Sequence, residues 1–412
     1  MITPSYALTA TERVLPKLAL DFTTASLDPR VTFTRTGNTA TVTNSSGYVV
    51  PINADLPRFD YDPVTLVCKG LLIEESRTNL QTYSSDFTNG VWTKAAVSVA
   101  TNATTAPDGT VTSNKIVEDS TLANHRFYSG TLSLSGTNTA SIYVKAAGRS
   151  YIQFGIWNSS SGIFDTAAVI NLTDGTTSSV TGTITVTSAG DGWWRCTATG
   201  AYTTANRLYV RLLASASVVN YQGDGVSGVF AWGAQVEAGA FATSYIPTEA
   251  SQVTRTADVA TMTGTNFSDW FNASEGAFAV KANIYSLAGA FNMTYSANDG
   301  TANKTLSIRH AAANSTNIVS VVVDTTSQAS MFCLTNLAAN TDFVAATGYK
   351  ADNFAAAGNG GAIATDLTGT VPAVNQLELG SQASTFYLNG WIKKLSYWPQ
   401  RITNAEVQAF SK

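Results

Sequence analysis

The chain has 412 residues, 44% of them hydrophobic but only 13% charged, and its 24 basic residues nearly balance its 28 acidic ones for a net charge of −4. Its length exceeds what one hydrophobic core serves. Charge without blocks of one sign disfavours a nucleic-acid partner, and no stretch approaches the roughly 20 apolar residues of a membrane span. The opening segment, Met1 to Leu20, lacks an apolar core of signal-peptide length, so the expectation is a soluble, unexported chain.

From Val31 onward, short strands punctuated by Gly, Asn, Asp and Pro recur about every 8 to 12 residues, the spacing of sandwiches and barrels. The predicted fold class is all-β: tandem antiparallel β-sandwich (jelly-roll) domains with a small amino-terminal β module. In residues 1–80, the run Thr32-Phe33-Thr34-Arg35 to Val42, the turn Asn44-Ser45-Ser46-Gly47 and Tyr48-Val49-Val50 predict a hairpin unit. A buried-strand run, Gly70 to Ile73, then ends in Glu74-Glu75. This segment is too small for a large core of its own and is expected to pack on the next domain or a partner chain.

Residues 81–262 show the clearest alternation, in Ser141 to Lys145, Tyr151 to Trp157, Trp193 to Thr199 and Arg207 to Leu213. Residues 263–412 repeat the behaviour in Gly276 to Val280, Ile318 to Val323, Gln376 to Gly380 and Trp391 to Leu395. Helical periodicity occurs only at the end, where Thr403 is the expected N-cap of Asn404 to Phe410 and Glu406 sits at the capping-box position.

Residues two apart on a strand share a face. With Ile142, Val144, Ile152, Phe154, Ile156, Trp194, Cys196, Leu208, Val210 and Leu212 inward, the outward set includes Tyr143, Lys145, Tyr151, Gln153, Trp157, Trp193, Arg195, Arg207, Tyr209 and Arg211. A sugar presents C–H patches on a ring face and hydroxyls around its rim, so its site needs aromatic platforms beside amide, carboxylate or guanidinium partners. The candidate carbohydrate-binding residues are therefore Tyr143, Tyr151, Gln153, Trp157, Trp193, Arg195, Tyr209 and Arg211. Two other readings stay open: such residues suit strands and stabilise cross-strand pairs, or another domain or subunit covers part of the face. Trp193 and Trp194 follow the turn Gly190-Asp191-Gly192, so at least one should anchor a strand in the core. Trp232 reads as structural. Tyr349, Asp352, Asn353, Asn359, Gly360 and Trp391 are candidates for loops near a lectin-type site.

Catalytic chemistry has little raw material. Two histidines, His125 and His310, do not supply a triad or a multi-histidine metal site, and no G-x-S-x-G elbow or P-loop occurs. A glycosidase needs two carboxylates, for which Glu74, Glu75, Asp119 and Asp224 stay open, although adjacent Glu74 and Glu75 alternate faces on a strand. The three cysteines, Cys68, Cys196 and Cys333, form no C-x-x-C pair and read as small buried residues. No cofactor is expected. A structural Ca²⁺ is conceivable, but Asp108-Gly109 and Asp174-Gly175 are more economically turns.

Three phrases resemble bacteriophage tail and virion proteins. Thr32-Phe33-Thr34-Arg35, Pro57-Arg58-Phe59-Asp60 and the run Gly70 to Leu80 look like the amino-terminal module of such proteins. Trp232 to Gly239 with Thr243-Ser244-Tyr245-Ile246-Pro247-Thr248 looks like the closing strand of a jelly roll similar to carbohydrate-binding modules. Leu377 to Gly380, Tyr387 to Ile392 and Arg401-Ile402-Thr403 are similar to the end of concanavalin A-like or laminin-G-like sandwiches. The resemblance implies a tail fibre, spike or related appendage, exposed on the virion. Its partners would be host surface polysaccharide and other virion proteins. It also implies a homo-oligomer, with a trimer the first guess, although the chain has no heptads or triple-stranded β-helix repeat.

Overall fold

The computed structural model describes residues 15–37, 39–202, 205–288 and 291–412. The chain forms two β-sandwiches and a short hairpin, with antiparallel pairing in every sheet. The fold class is the one expected: all-β, built from jelly-roll-type sandwiches.

The first sandwich takes residues from the middle of the chain. One of its sheets has six strands in the order Thr183–Ser188, Trp194–Tyr202, Gly136–Ala147, Gly228–Ala238, Asn114–Glu118 and Val97–Ala100. The facing sheet runs Thr177–Thr181, Ile163–Asn171, Tyr151–Asn158, Ala205–Leu213, Arg126–Ser129 and Trp92–Ala95. Alternation drives the layering: Ile142, Val144, Ile152, Phe154, Ile156, Cys196, Leu208, Val210 and Leu212 are all buried in the core between the sheets, as parity predicts.

The second sandwich corrects the expected domain plan. Its first sheet is ordered Ala364–Asp366, Phe354–Gly358, Asp342–Lys350, Glu275–Ile284, Gly390–Trp398, Cys68–Ile73 and Phe59–Tyr61, with Leu18–Asp21 also on Gly390–Trp398. The second sheet begins with Thr32–Thr34 and Val259–Thr263 and continues through Gln376–Leu379 to Thr326–Leu334. Residues 1–80 are therefore not a separate module. Their strands, three to six residues long, bury too little surface alone, and they complete the carboxy-terminal sandwich, where Leu18, Leu20, Phe33, Leu71 and Ile73 share one core with Phe278, Leu379 and Ile392. Val259–Thr263 joins them, so the middle unit ends before residue 262. The hairpin Ala40–Thr43 with Val49–Ile52 is a two-stranded sheet of its own, as the Asn44 to Gly47 turn predicts.

The first sandwich is thus inserted into the second. Its two connections pair with each other, Arg77–Asn79 against Val253–Arg255, forming a two-stranded neck. Next to the neck five ionised side chains are shut off from solvent: Arg35, Arg58, Glu74, Arg255 and Asp258. Arg58 bridges the two acids, 2.7 Å from Glu74 and in direct contact with Asp258. The terminal nitrogens also meet carbonyls, Arg35 those of Asn53 and Leu56 and Arg255 those of Glu75 and Thr256, while the Nε of each is buried without a partner among the described residues. Glu74 also accepts from the amide and hydroxyl of Ser244, at the end of the inserted sandwich. Burial pushes the Glu74 carboxyl up, but Arg255 and Arg58 outweigh it and hold the group at about 2, below its usual 4.5.

The carboxy-terminal helix forms where expected. The helix Asn404–Phe410 has its capping box, with Thr403 accepting from the Glu406 amide and Glu406 accepting from the Thr403 amide. Cys196 and Cys333 are buried as expected, with the Cys333 thiol pushed up to about 12 by burial, but Cys68 is only half-buried. No helix among the described residues is long and apolar enough to cross a membrane.

Removing one partner leaves a buried charge unbalanced, which costs about 3–5 kcal/mol. Glu74→Gln should therefore destabilise by that order in urea unfolding. A depressed carboxyl gives stability that is present above its unfolded pKa and lost as pH falls through the folded one. The wild type should accordingly lose stability between about pH 4.5 and 2, and Glu74→Gln should lose less over that window.

Candidate functional site: a cleft between the sandwiches

Where hairpin, inserted sandwich and composite sandwich meet, they enclose an open cleft of about 810 Å³. Its floor is the outer face of two neighbouring strands, Thr183–Ser188 and Trp194–Tyr202, which present Thr183, Thr185, Thr187, Thr197, Thr199 and Arg195. Thr183, Thr185 and Thr187 are exposed at successive outward positions, roughly 7 Å apart. One wall comes from the amino-terminal segment, through Asp60, Asp62 and Lys69, and another from the loop Ala240 to Tyr245. The end is closed by Tyr285 and Trp391 of the composite sandwich.

The wall is built stiffly. Asp60 accepts from the Thr43 amide (3.0 Å) and the Trp391 indole (3.0 Å) and pairs with Lys69 (2.7 Å), whose ammonium lies 4.0 Å above the Trp391 ring. Tyr285 packs edge-on against Trp391, with centroids 4.4 Å apart, and Phe241 lies 6.4 Å beyond it. The Tyr285 hydroxyl has no hydrogen-bond partner among the described residues. Burial first, and then the carboxylates of Glu74 and Asp60, raise its pKa well above 10, so it stays a donor. Asp62 spends one oxygen on the amides of Val64 and Thr65. Although burial opposes it, these bonds hold its carboxyl below the ordinary value.

The loop Ala240 to Tyr245 owes its position to buried polar side chains. Glu237 accepts from the amide (2.9 Å) and hydroxyl (2.8 Å) of Thr243, and Gln235 accepts from the Ile246 amide (2.7 Å). Gly239 has φ +127, and a Cβ there would lie 1.6 Å from the Arg77 guanidinium, so only glycine lets that side chain pass. Arg77 in turn lies 4.8 Å above the Phe241 ring.

The eight residues named from sequence divide between opposite faces of the inserted sandwich. Tyr143 and Arg195 line the cleft, but Tyr143 is only 5% exposed and its ring lies under the Arg195 guanidinium. Trp193 faces the same side yet is 1% exposed, packed with Tyr143, Trp232 and Tyr245, and its indole donates to the Thr105 carbonyl. These two rings are outward with respect to the main core, but hairpin residue Val49 and the Tyr245 loop cover them, the alternative of a neighbouring module over the face. Trp194 packs against the main core.

Tyr151, Gln153, Trp157, Tyr209 and Arg211 lie on the facing sheet. There the rings stack on one another instead of presenting open faces: Tyr128 on Tyr209 at 5.1 Å and 3°, Tyr209 on Trp157 at 5.5 Å and 30°. Tyr209 is buried in consequence. Parity identified which residues leave the core but not which sheet they leave from, so one list mixed two surfaces.

Of the residues expected on lectin-type loops, Trp391 alone reaches the cleft. Tyr349 is buried, with its hydroxyl bonded to Asn272 and Tyr397, while Asp352 and Asn359 accept from the amides of Gly369 and Val344. Asp108 and Asp174 form the expected turns, accepting from the amides of Thr110 and Thr176. Among the described residues no three His, Cys, Asp or Glu side chains group as metal ligands. Sequence reasoning missed Lys69, Phe241, Tyr285 and the Thr183–Thr187 row. The row carried a signal, since threonine at every second position makes one hydroxyl-rich strand face.

The fold and cleft define an all-β protein of two interlocked sandwiches with a concave interdomain surface. No family model matches the sequence, and no curated protein does. Solved structures that are similar include the CBM40 module of the Ruminococcus gnavus IT-sialidase, at TM-score 0.31 and 14% identity over 36% of this chain and 88% of that one. They also include domains LG4-5 of the mouse laminin alpha1 chain, at TM-score 0.23 and 8% identity over 64% of this chain and 81% of that one. At such identities the likeness concerns the sandwich fold alone.

A buried aromatic anchor and a sugar platform respond differently to truncation. Trp193→Ala should lower stability by about 3–5 kcal/mol in urea unfolding, as loss of a buried tryptophan does. An open platform at Trp193 would instead leave the unfolding midpoint unchanged.

Proposed function

We propose that this chain binds saccharide in the cleft between its sandwiches and does not cleave it. The observation that carries this reading is the lining. Half-buried Phe241 and Tyr285 supply apolar and aromatic surface, the hydroxyls of Thr183, Thr185 and Thr187, without partners among the described residues, and the Tyr285 phenol supply hydrogen bonds, and Lys69 and Arg195 are fixed in place. Sites for sugars combine these components in concave interdomain positions. Hydrolysis is disfavoured by the state of the cleft's carboxylates. A glycosidase acid must be protonated at working pH, whereas Asp60 is taken by three donors and Asp62 is held in its ionised form.

We place the protein on a virion, as an exposed appendage of the phage tail type that meets host surface polysaccharide. The support is the resemblance of its three phrases, together with low charge and modular β architecture. One observation favours a purely architectural role as the second reading. The turn Asp62 to Val67, closed by hydrogen bonds from the Leu66 and Asp62 amides, holds Val64, Leu66 and Val67 exposed at the rim, as a contact with another protein would require.

The test is titration against a panel of oligosaccharides and purified bacterial surface polysaccharides. Thr185→Trp fills the floor from an exposed position and should weaken binding at least tenfold with an unchanged melting temperature. Tyr285→Phe removes one hydrogen bond and should cost a few-fold in affinity. Binding unaffected by Thr185→Trp contradicts the cleft assignment, and release of reducing ends contradicts the non-cleaving one.

A further inference from the structure

The far face of the inserted sandwich, turned away from the core on the sheet opposite the cleft, concentrates arginine without carboxylate. Arg126 and Arg211 are directly paired across neighbouring strands, and both leave the core on this side. Directly opposed residues have their Cβ atoms about 5 Å apart, where like charges repel. Arg207 stands one strand-turn further along, four residues from Arg211 and roughly 13 Å away by backbone rise.

Among the described residues none of the three forms an ion pair. Each guanidinium carries five N–H donors and uses one of them within the chain: Arg126 to the Asn124 carbonyl, Arg207 to Ser159 and Arg211 to Gln153. The Nε of Arg211 is buried without a hydrogen-bond partner among the described residues. Asp165, on the flanking strand Ile163–Asn171, is taken by the side-chain amides of Asn158 and Asn206.

The aromatic side chains here serve the cations. Arg207 lies 5.1 Å over Tyr128, and Arg211 lies between Tyr209 at 5.5 Å and Phe164 at 5.6 Å. Tyr128, Tyr209 and Trp157 form one continuous stack, with Phe164 edge-on to both Trp157 and Tyr209. A guanidinium clamped against rings loses little rotamer freedom when it engages an anion, so its planar fork is already oriented for bidentate contact.

We propose that this face binds an anionic polysaccharide, reading its carboxylate or sulfate groups through Arg126, Arg207 and Arg211. The site is separate from the cleft and does not depend on it. An anion between Arg126 and Arg211 cancels their repulsion, and a polymer that carries anions along its length reaches Arg207 as well. Single-stranded nucleic acid is the weaker fit, because the rings are stacked on each other and leave no open faces for bases.

The full chain is titrated with polygalacturonate, dextran sulfate, unmodified dextran, galacturonic acid and an oligodeoxythymidylate, at 50 and 300 mM NaCl. At least one of the two anionic polymers should bind, ten times or more tighter than dextran and galacturonic acid, and should weaken at high salt. Which of the two binds distinguishes a carboxylate-bearing ligand from a sulfate ester. The double variant Arg126→Gln/Arg211→Gln should lose at least tenfold. It should melt no lower than wild type, since it removes an opposed like-charge pair, whereas Lys115→Gln, on the strand Asn114–Glu118 of the opposite sheet, and the cleft-filling Thr185→Trp should leave this binding unchanged. Equal binding of dextran, tighter binding of the oligonucleotide, no binding of either anionic polymer, or full binding by the double variant overturns the proposal.

Discussion

Three arginines and two carboxylates with no access to solvent hold this molecule together at one point. Desolvating five charges is costly, and a buried ion pair often does no better than a packed apolar one. The arrangement survives because no charge is left without partners: Arg58 spans Glu74 and Asp258, and the surplus positive charge is met by carbonyls of Asn53, Leu56, Thr41, Glu75 and Thr256. Together with Ser244 at the end of the inserted sandwich, which bonds Arg58 and Glu74, those partners come from the hairpin region, the neck and both sandwiches. The network can form only when all of them are in register, which makes it a device for specifying assembly more than for adding stability.

Much of the sequence resemblance maps onto this junction. Arg35, Arg58 and Glu74 come from the first phrase, and Asn79 of the same phrase bonds the carbonyls of Ala234 and Ile246 and the amide of Val236. Gln235, Glu237, Thr243 and Ser244 of the second phrase anchor the loop beside the cleft. The residues that make the phrases distinctive are therefore architectural, and the candidate ligand contacts lie elsewhere. Lys69 and Tyr285 fall outside those phrases, and only their neighbours in space give them a role.

Strand existence and inward parity were legible because a period of two is local. Ile142, Phe154 and Val210 announce the core without any knowledge of topology. The composite sandwich was not legible, since Cys68–Ile73 pairs with Gly390–Trp398 across more than 300 positions and Thr32–Thr34 with Val259–Thr263 across more than 220. No local pattern records such pairings, so the amino-terminal strands read as a module of their own. The same limit placed Tyr143 and Trp157 on one imagined surface, although they lie in different sheets.

Insertion through a paired neck explains why a cleft persists between the sandwiches. Two connections cross together, the ion network fixes their angle, and Asp60, Lys69 and Trp391 form a wall that needs both ends of the chain. The most direct test of the composite fold is to express residues 263–412 alone and follow near-ultraviolet circular dichroism on heating. Without Cys68–Ile73 and Val259–Thr263, the strands Gly390–Trp398 and Gln376–Leu379 lose partners and the core opens, so this fragment should show no native signal and no cooperative melt. A cooperative transition with a native-like spectrum would mean that the carboxy-terminal sandwich stands by itself, and the interlocked architecture would be wrong.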